Sequence, residues 1–226
     1  MELFFKAVVD DWGQTSYTIT LAGQIAIAVL LLALLILGNV IFGKKNTRPA
    51  VQIAFSAMAI ALSTVTSMIT VFKMPMGGSI TLLSMLFVSL IGYWFGLGAG
   101  LATCIAYGLI QLFIDPYILS IPQLLIDYIF AFGALGLSGL VHNKNIKHGM
   151  VVGYLVAVFG RYVFSFISGW IFFGSYASYY NYNSAVVYSL VYNALSIVPE
   201  AILTVIVISI PAVKKGLIEV RRMADK

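Results

Sequence analysis

The chain is 226 residues long, 61% hydrophobic and only 9% charged, with a mean hydropathy of +1.01. Soluble domains carry about 25% charged residues, so this composition excludes a separate soluble domain and leaves one membrane domain. The net charge of +5 collects in the breaks between apolar runs and carries no nucleic-acid signal, and the single Cys104 excludes an intramolecular disulfide or a cysteine-rich metal site.

Seven hydrophobic segments reach spanning length. The first is Ile19–Phe42. Glu2, Asp10 and Asp11 precede it with one lysine, Lys6. A secretory leader has a positive n-region, so the segment reads as a retained helix, with Trp12 and Tyr17 at the outer interface. Gly43-Lys44-Lys45-Asn46 ends it. The second, Val51–Phe72, carries Ala57 and Ala61 four residues apart, a small-residue spacing that permits close helix approach. Met74-Pro75-Met76-Gly77-Gly78 is turn chemistry. The third and fourth, Ile80–Phe95 and Leu97–Ile114, are short and separated by Gly96 alone. Gly92, Gly96 and Gly100 repeat the small-residue spacing.

After Asp115-Pro116 comes the fifth segment, Leu119–Val141, with Gln123 and Asp127 on one helix face. His142-Asn143-Lys144-Asn145 closes it. The sixth, Met150–Phe173, lines up Arg161, Ser165 and Ser168. A tyrosine- and asparagine-rich loop follows over 174–184, readable as an aromatic lid or as an interfacial belt. The seventh, Ala185–Val213, places Ser189, Asn193, Ser196 and Glu200 at i, i+4, i+7 and i+11. Placing Lys44, Lys45, Arg48, Lys144, Lys147, Lys214, Lys215, Arg221, Arg222 and Lys226 inside satisfies the positive-inside rule. The N-terminus is then outside, the C-terminus inside, and the chain a multi-pass protein of the cell membrane.

Three spans carry polar stripes that lipid cannot satisfy, so the stripes face one another or a cavity. Asp127 is the sharpest case, because an acidic residue at a helix centre costs roughly 2.5–3.5 kcal/mol on translocon scales. At 1.5 Å per residue, Asp127 and Asn193 lie about 12–15 Å below the outer end. Arg161 and Glu200 lie about 18–24 Å down, where opposite charge and similar depth predict a structural ion pair; proton or ion coupling is the other reading. Asp127, Tyr128, Tyr188 and Asn193 combine a carboxylate, phenols and an amide, which suits a small, flat, partly cationic, nitrogen-rich ligand. Helix–helix hydrogen bonding is the plainer alternative. The chain has no G-x-x-x-x-G-K-[ST], no H-E-x-x-H and no G-x-S-x-G.

From Val51 onward the sequence resembles the S-components of energy-coupling factor (ECF) transporters, specifically the thiamine-specific branch. The resemblance rests on residues 52–63, 119–128, 160–177 and 188–193, the third block being the most specific. It implies an all-α membrane subunit with a six-helix core over 47–226, preceded here by an extra helix and linker over 1–46. It implies a substrate-binding subunit, not an enzyme, that captures thiamine or a related nitrogen-heterocyclic vitamin from outside. Such a subunit docks on a transmembrane coupling protein driven by two ATPase subunits, so ATP is hydrolysed elsewhere and no cofactor is bound here. A stand-alone proton-coupled secondary transporter is the alternative.

The resemblance assigns substrate binding to Tyr117, Asp127, Tyr128, Tyr188 and Asn193, and docking to Ala57 and Ala61. The family has Glu where this chain has Asp127, His where it has Ser165, and a stacking Trp where it has Phe173; Trp170, one turn away, stands as a compensating ring.

Overall fold

A computed structural model describes residues 3–9, 15–27, 29, 49–74, 78–142 and 146–225. Five helices among them are long and apolar enough to cross a membrane. The expected first span lies mostly outside the described residues. Its start does not: residues 15–19 are extended and residues 21–27 helical. Strands β1 (Phe5–Val9) and β2 (Thr15–Ile19) form an antiparallel hairpin ahead of that helix.

Helix α1 (Pro49–Ser67) stops short of the predicted Phe72, because the chain turns into strand β3 (Thr70–Lys73). β3 pairs antiparallel with β4 (Ser79–Thr81). Residues 70–73 and 79–81 are therefore paired strands, and helix α2 begins only at Ser84 and ends at Phe95. Twelve residues rise about 18 Å, short of the roughly 30 Å hydrocarbon core, so the third expected span is a half-span.

Helix α3 (Leu97–Ile114) occupies the predicted fourth segment. Gly96, at φ +96°, makes the turn between α2 and α3, a conformation open to glycine at little cost. Helix α4 (Ile121–Val141) starts as α-helix, is π-helical over Leu125–Phe130 and ends as a 3-10 stretch over Ala134–Val141. Helix α5 (Gly149–Phe172) and helix α7 (Ala185–Ser209) are continuous, with the short α6 (Tyr176–Tyr179) between them. The seventh segment ends four residues earlier than predicted. Ile210 is extended, and Pro211 opens a separate helix, α8 (Pro211–Asp225).

The glycine spacing acts inside the bundle. A Cβ on Gly100 would sit 2.6 Å from the Gly92 Cα and 2.8 Å from the Gly136 carbonyl, so α2, α3 and α4 touch backbone to backbone. Helix α1 is stitched to α3 by a polar ladder. Thr103 Oγ1 donates to Ser56 Oγ at 3.0 Å, the Tyr107 hydroxyl to the Ser63 carbonyl at 3.3 Å, and Gln111 Nε2 to Ser67 Oγ at 2.9 Å. That ladder turns the opposite face of α1, with Ala57 and Ala61, outward and exposed. Helices α1, α3, α4, α5 and α7 surround a core centred on Met85, Val88, Ile91, Tyr107, Leu135 and Ala157.

Candidate functional site

The bundle encloses a cavity of about 460 Å³, within the range of small-molecule sites. It runs between α1, the β3–β4 hairpin, α3, α4, α5 and α7. Tyr117, Asp127, Tyr128, Ser165, Phe173, Tyr188 and Asn193 line it, as do Arg161 and Glu200.

Asp127 and Tyr128 sit in the π-helical turn of α4, a distortion that recurs at functional sites. The distorted turn packs on Gly108 of α3, where any Cβ would collide with the Tyr128 carbonyl. Ser120 caps the helix, accepting from the Gln123 N–H at 3.3 Å. Gln123 is 1% exposed. Its Nε2 donates to Asp127 Oδ2 at 2.6 Å and to the Tyr117 carbonyl at 3.1 Å, while its Oε1 accepts from the Leu119 N–H at 2.9 Å. One side chain thus aims the carboxylate and fixes the loop before it. The Ser168 hydroxyl lies beside the same carboxylate without a well-formed hydrogen bond.

Aromatic rings flank this end. Tyr117 stacks on Phe173, with centroids 5.8 Å apart and planes at 28°, and its hydroxyl shares a 2.9 Å hydrogen bond with Tyr176. The Tyr128 ring lies 6.3 Å from Phe132; its hydroxyl accepts from the Tyr117 N–H at 2.9 Å and donates to the Asp115 carbonyl at 3.1 Å. Tyr188 is 2% exposed, packed by Tyr180, Tyr182 and Tyr192, and its hydroxyl has no hydrogen-bond partner among the described residues. Asn193 Nδ2 donates to the Ser189 carbonyl at 2.9 Å and to Ser189 Oγ at 3.2 Å. Lys73 on β3 meets Asp115 at 3.0 Å, so the hairpin and the 115–120 loop join over the cavity.

Two expectations are corrected. Arg161 and Glu200 form no ion pair among the described residues. Glu200 accepts from Thr81 Oγ1 at 2.7 Å, Ser84 Oγ at 3.0 Å and the Met85 N–H at 2.9 Å. It caps α2, whose own N-cap residue, Leu83, supplies no side-chain bond; the first-turn donors of a helix starting inside a membrane need such an acceptor. The Arg161 guanidinium lies 4.3 Å above the Phe132 ring. Trp170 does not line the cavity. It is 49% exposed and stacks on Phe166, one turn back on the outward face of α5.

Sequence reasoning passed over four residues that build the site. Gln123 shares a face with Asp127, and the i, i+4 spacing is the signal that puts them in reach. Tyr176 sits in the tyrosine-rich loop without a distinguishing neighbour. Thr81 and Ser84 fell inside a segment read as one helix.

The family model described as "Thiamine transporter protein (Thia_YuaJ)" matches residues 53–219. The thiamine transporter ThiT of Bacillus subtilis (strain 168) is 37% identical over 165 residues, covering 68% of this chain and 83% of that protein. A solved structure of ThiT from Listeria monocytogenes superposes with a TM-score of 0.62 at 25% identity, covering 73% of this chain and 94% of the other.

Proposed function

The chain belongs to the thiamine transporter protein family, a multi-pass transporter and not an enzyme, and from that premise we propose that it is the thiamine-binding S-component of an ECF-type uptake system. The observation that carries the reading is Asp127: a carboxylate at the wall of a 460 Å³ cavity, held by Gln123 through one oxygen only, among stacked aromatic rings. Thiamine is a cation with an aminopyrimidine ring and a thiazolium ring. The amino group donates to Asp127, in a charge-assisted hydrogen bond. Tyr117 and Phe173 offer ring faces to the cationic system. Tyr188 and Asn193 supply a hydroxyl and an amide that fix orientation, and Ser165 widens the polar wall.

In this reading the 115–120 loop and the β3–β4 hairpin face outside, the C-terminus faces inside, and the exposed Ala57/Ala61 face of α1 receives the coupling protein. The ATPases sit on that partner, consistent with the missing phosphate-binding loop. The test is paired. Purified chain in detergent should bind thiamine, and the same chain alone in liposomes should take up none under a proton gradient. Proton-driven uptake by the chain alone would instead make it a self-sufficient secondary transporter using Asp127, Arg161 and Glu200.

A further inference from the structure

The β1–β2 hairpin lies outside the segment that matches the family model, yet it reaches the site. The Tyr17 N–H donates to the Ile118 carbonyl at 2.7 Å, an isolated antiparallel bridge between β2 and the 115–120 loop. Phe5, Tyr17, Ile19 and Ile27 pack around Ile118, Leu112, Leu124 and Tyr128. Ile118 is 2% exposed. The hairpin is itself tied to the helix that follows it: the Thr20 hydroxyl donates to the Leu3 carbonyl at 2.6 Å and accepts from the Gly23 N–H at 3.2 Å.

The other face of the same loop is the cavity wall. Gln123 and Tyr128 hold the peptide groups of Tyr117 and Leu119 from within. Tyr17 holds the residue between them from the opposite side. A three-residue stretch gripped on both faces has little freedom to swing, and Tyr117 is the aromatic wall it carries.

We propose that the N-terminal hairpin is a positioning element of the binding site, pairing with Ile118 to keep Tyr117 closed on the cavity and so lengthening the residence time of the ligand. The inference rests on the thiamine-binding reading above. It assigns a function to a segment that precedes the matched core.

Tyr17 allows a clean test. Its N–H points away from β1, so its pairing with Ala7 is a non-hydrogen-bonded pair. Tyr17→Pro therefore removes the bridge without removing a bond of the hairpin. Tyr17→Phe keeps both the N–H and the ring. Stopped-flow dissociation of thiamine from the full chain should be about three- to tenfold faster in Tyr17→Pro, the range for one lost hydrogen bond, and unchanged in Tyr17→Phe. Hydrogen exchange of the ligand-free proteins supplies a second readout. Amides of 117–119 should exchange faster in Tyr17→Pro while those of α3 stay as in the parent. Equal dissociation rates and equal exchange in parent and Tyr17→Pro would overturn the proposal. Failure of the parent to bind thiamine at all would overturn the ligand assignment instead, and the exchange experiment would still decide whether the hairpin holds the loop.

Discussion

The two carboxylates in the cavity wall are in opposite states. At the inner end, Glu200 accepts three hydrogen bonds that fill both of its oxygens, one of them from the backbone of α2. At the loop end, Asp127 takes one well-formed bond among the described residues, from Gln123 through a single oxygen, with the Ser168 hydroxyl beside it. A buried carboxylate with its acceptors filled stabilises the structure around it; one with an acceptor left open is costly until something arrives to use it. The same contrast separates the aromatic groups. Tyr107 spends its hydroxyl on the Ser63 carbonyl and holds α3 to α1, whereas the buried hydroxyl of Tyr188 has no partner among the described residues. The carboxylate of Glu200 is spent on the scaffold, whereas in the proposed reading the loop half of the cavity receives the ligand.

That division predicts different failures for different substitutions. Glu200→Ala should have the largest effect on stability. It leaves the Met85 N–H, Ser84 Oγ and Thr81 Oγ1 without their acceptor, and a hydrogen bond to a charged group is worth about 1.5–3 kcal/mol. Thermal unfolding should drop accordingly, while thiamine affinity in the folded fraction changes less than about threefold. In a double-mutant cycle with Arg161→Gln the two effects should add to within about 0.5 kcal/mol, as for residues without a shared contact; strong coupling would restore the ion pair.

Tyr188→Phe sharpens the contrast from the other side. Removing an orphaned buried hydroxyl should leave the ligand-free protein as stable as before, or slightly more so. Affinity should fall about three- to tenfold, the worth of one hydrogen bond, as read by calorimetry. Lower stability with unchanged affinity would place Tyr188 in the scaffold.

Lys73→Gln tests the bridge over the cavity. Both partners are mostly exposed, at 66% and 62%, so the pair is weak and screened. Ligand dissociation should quicken by less than about threefold, and the difference should vanish in about 0.5 M salt. Trp170→Phe should have the smallest effect: affinity and dissociation rate unchanged, because the indole stacks on Phe166 outside the cavity.

Much of this division was legible in the sequence. Asp127 stands out because the surrounding run is apolar, and a spacing of seven residues, two helical turns, places Asn193 and Glu200 on one face of α7. Two kinds of feature were not. Thr70–Lys73 and Ser79–Thr81 are short and rich in β-branched residues, and where they abut apolar helices a hydropathy window takes residues 70–72 and 80–81 for helix ends. Reading them as helix hid Thr81 and Ser84, and with them the true partners of Glu200. Equal depth and opposite charge then pointed to Arg161. Depth fixes where a side chain starts, not which donors are closer, and the bare N-terminus of α2 was closer. Trp170 failed for a related reason. One turn from Phe173 in sequence, it lies on the face of α5 that continues from Phe166, away from Ser165 and Ser168.

The central claim is that the open carboxylate at the loop end receives the ligand. Titration calorimetry of thiamine into the parent protein and into Asp127→Asn, run beside thermal unfolding of both ligand-free forms, tests it most directly. The account predicts a single saturable site in the parent, affinity weaker by tenfold or more in Asp127→Asn, as for a lost charge-assisted bond of about 1.5–3 kcal/mol, and no loss of thermal stability. Equal affinities in the two proteins would contradict it and remove Asp127 from the site.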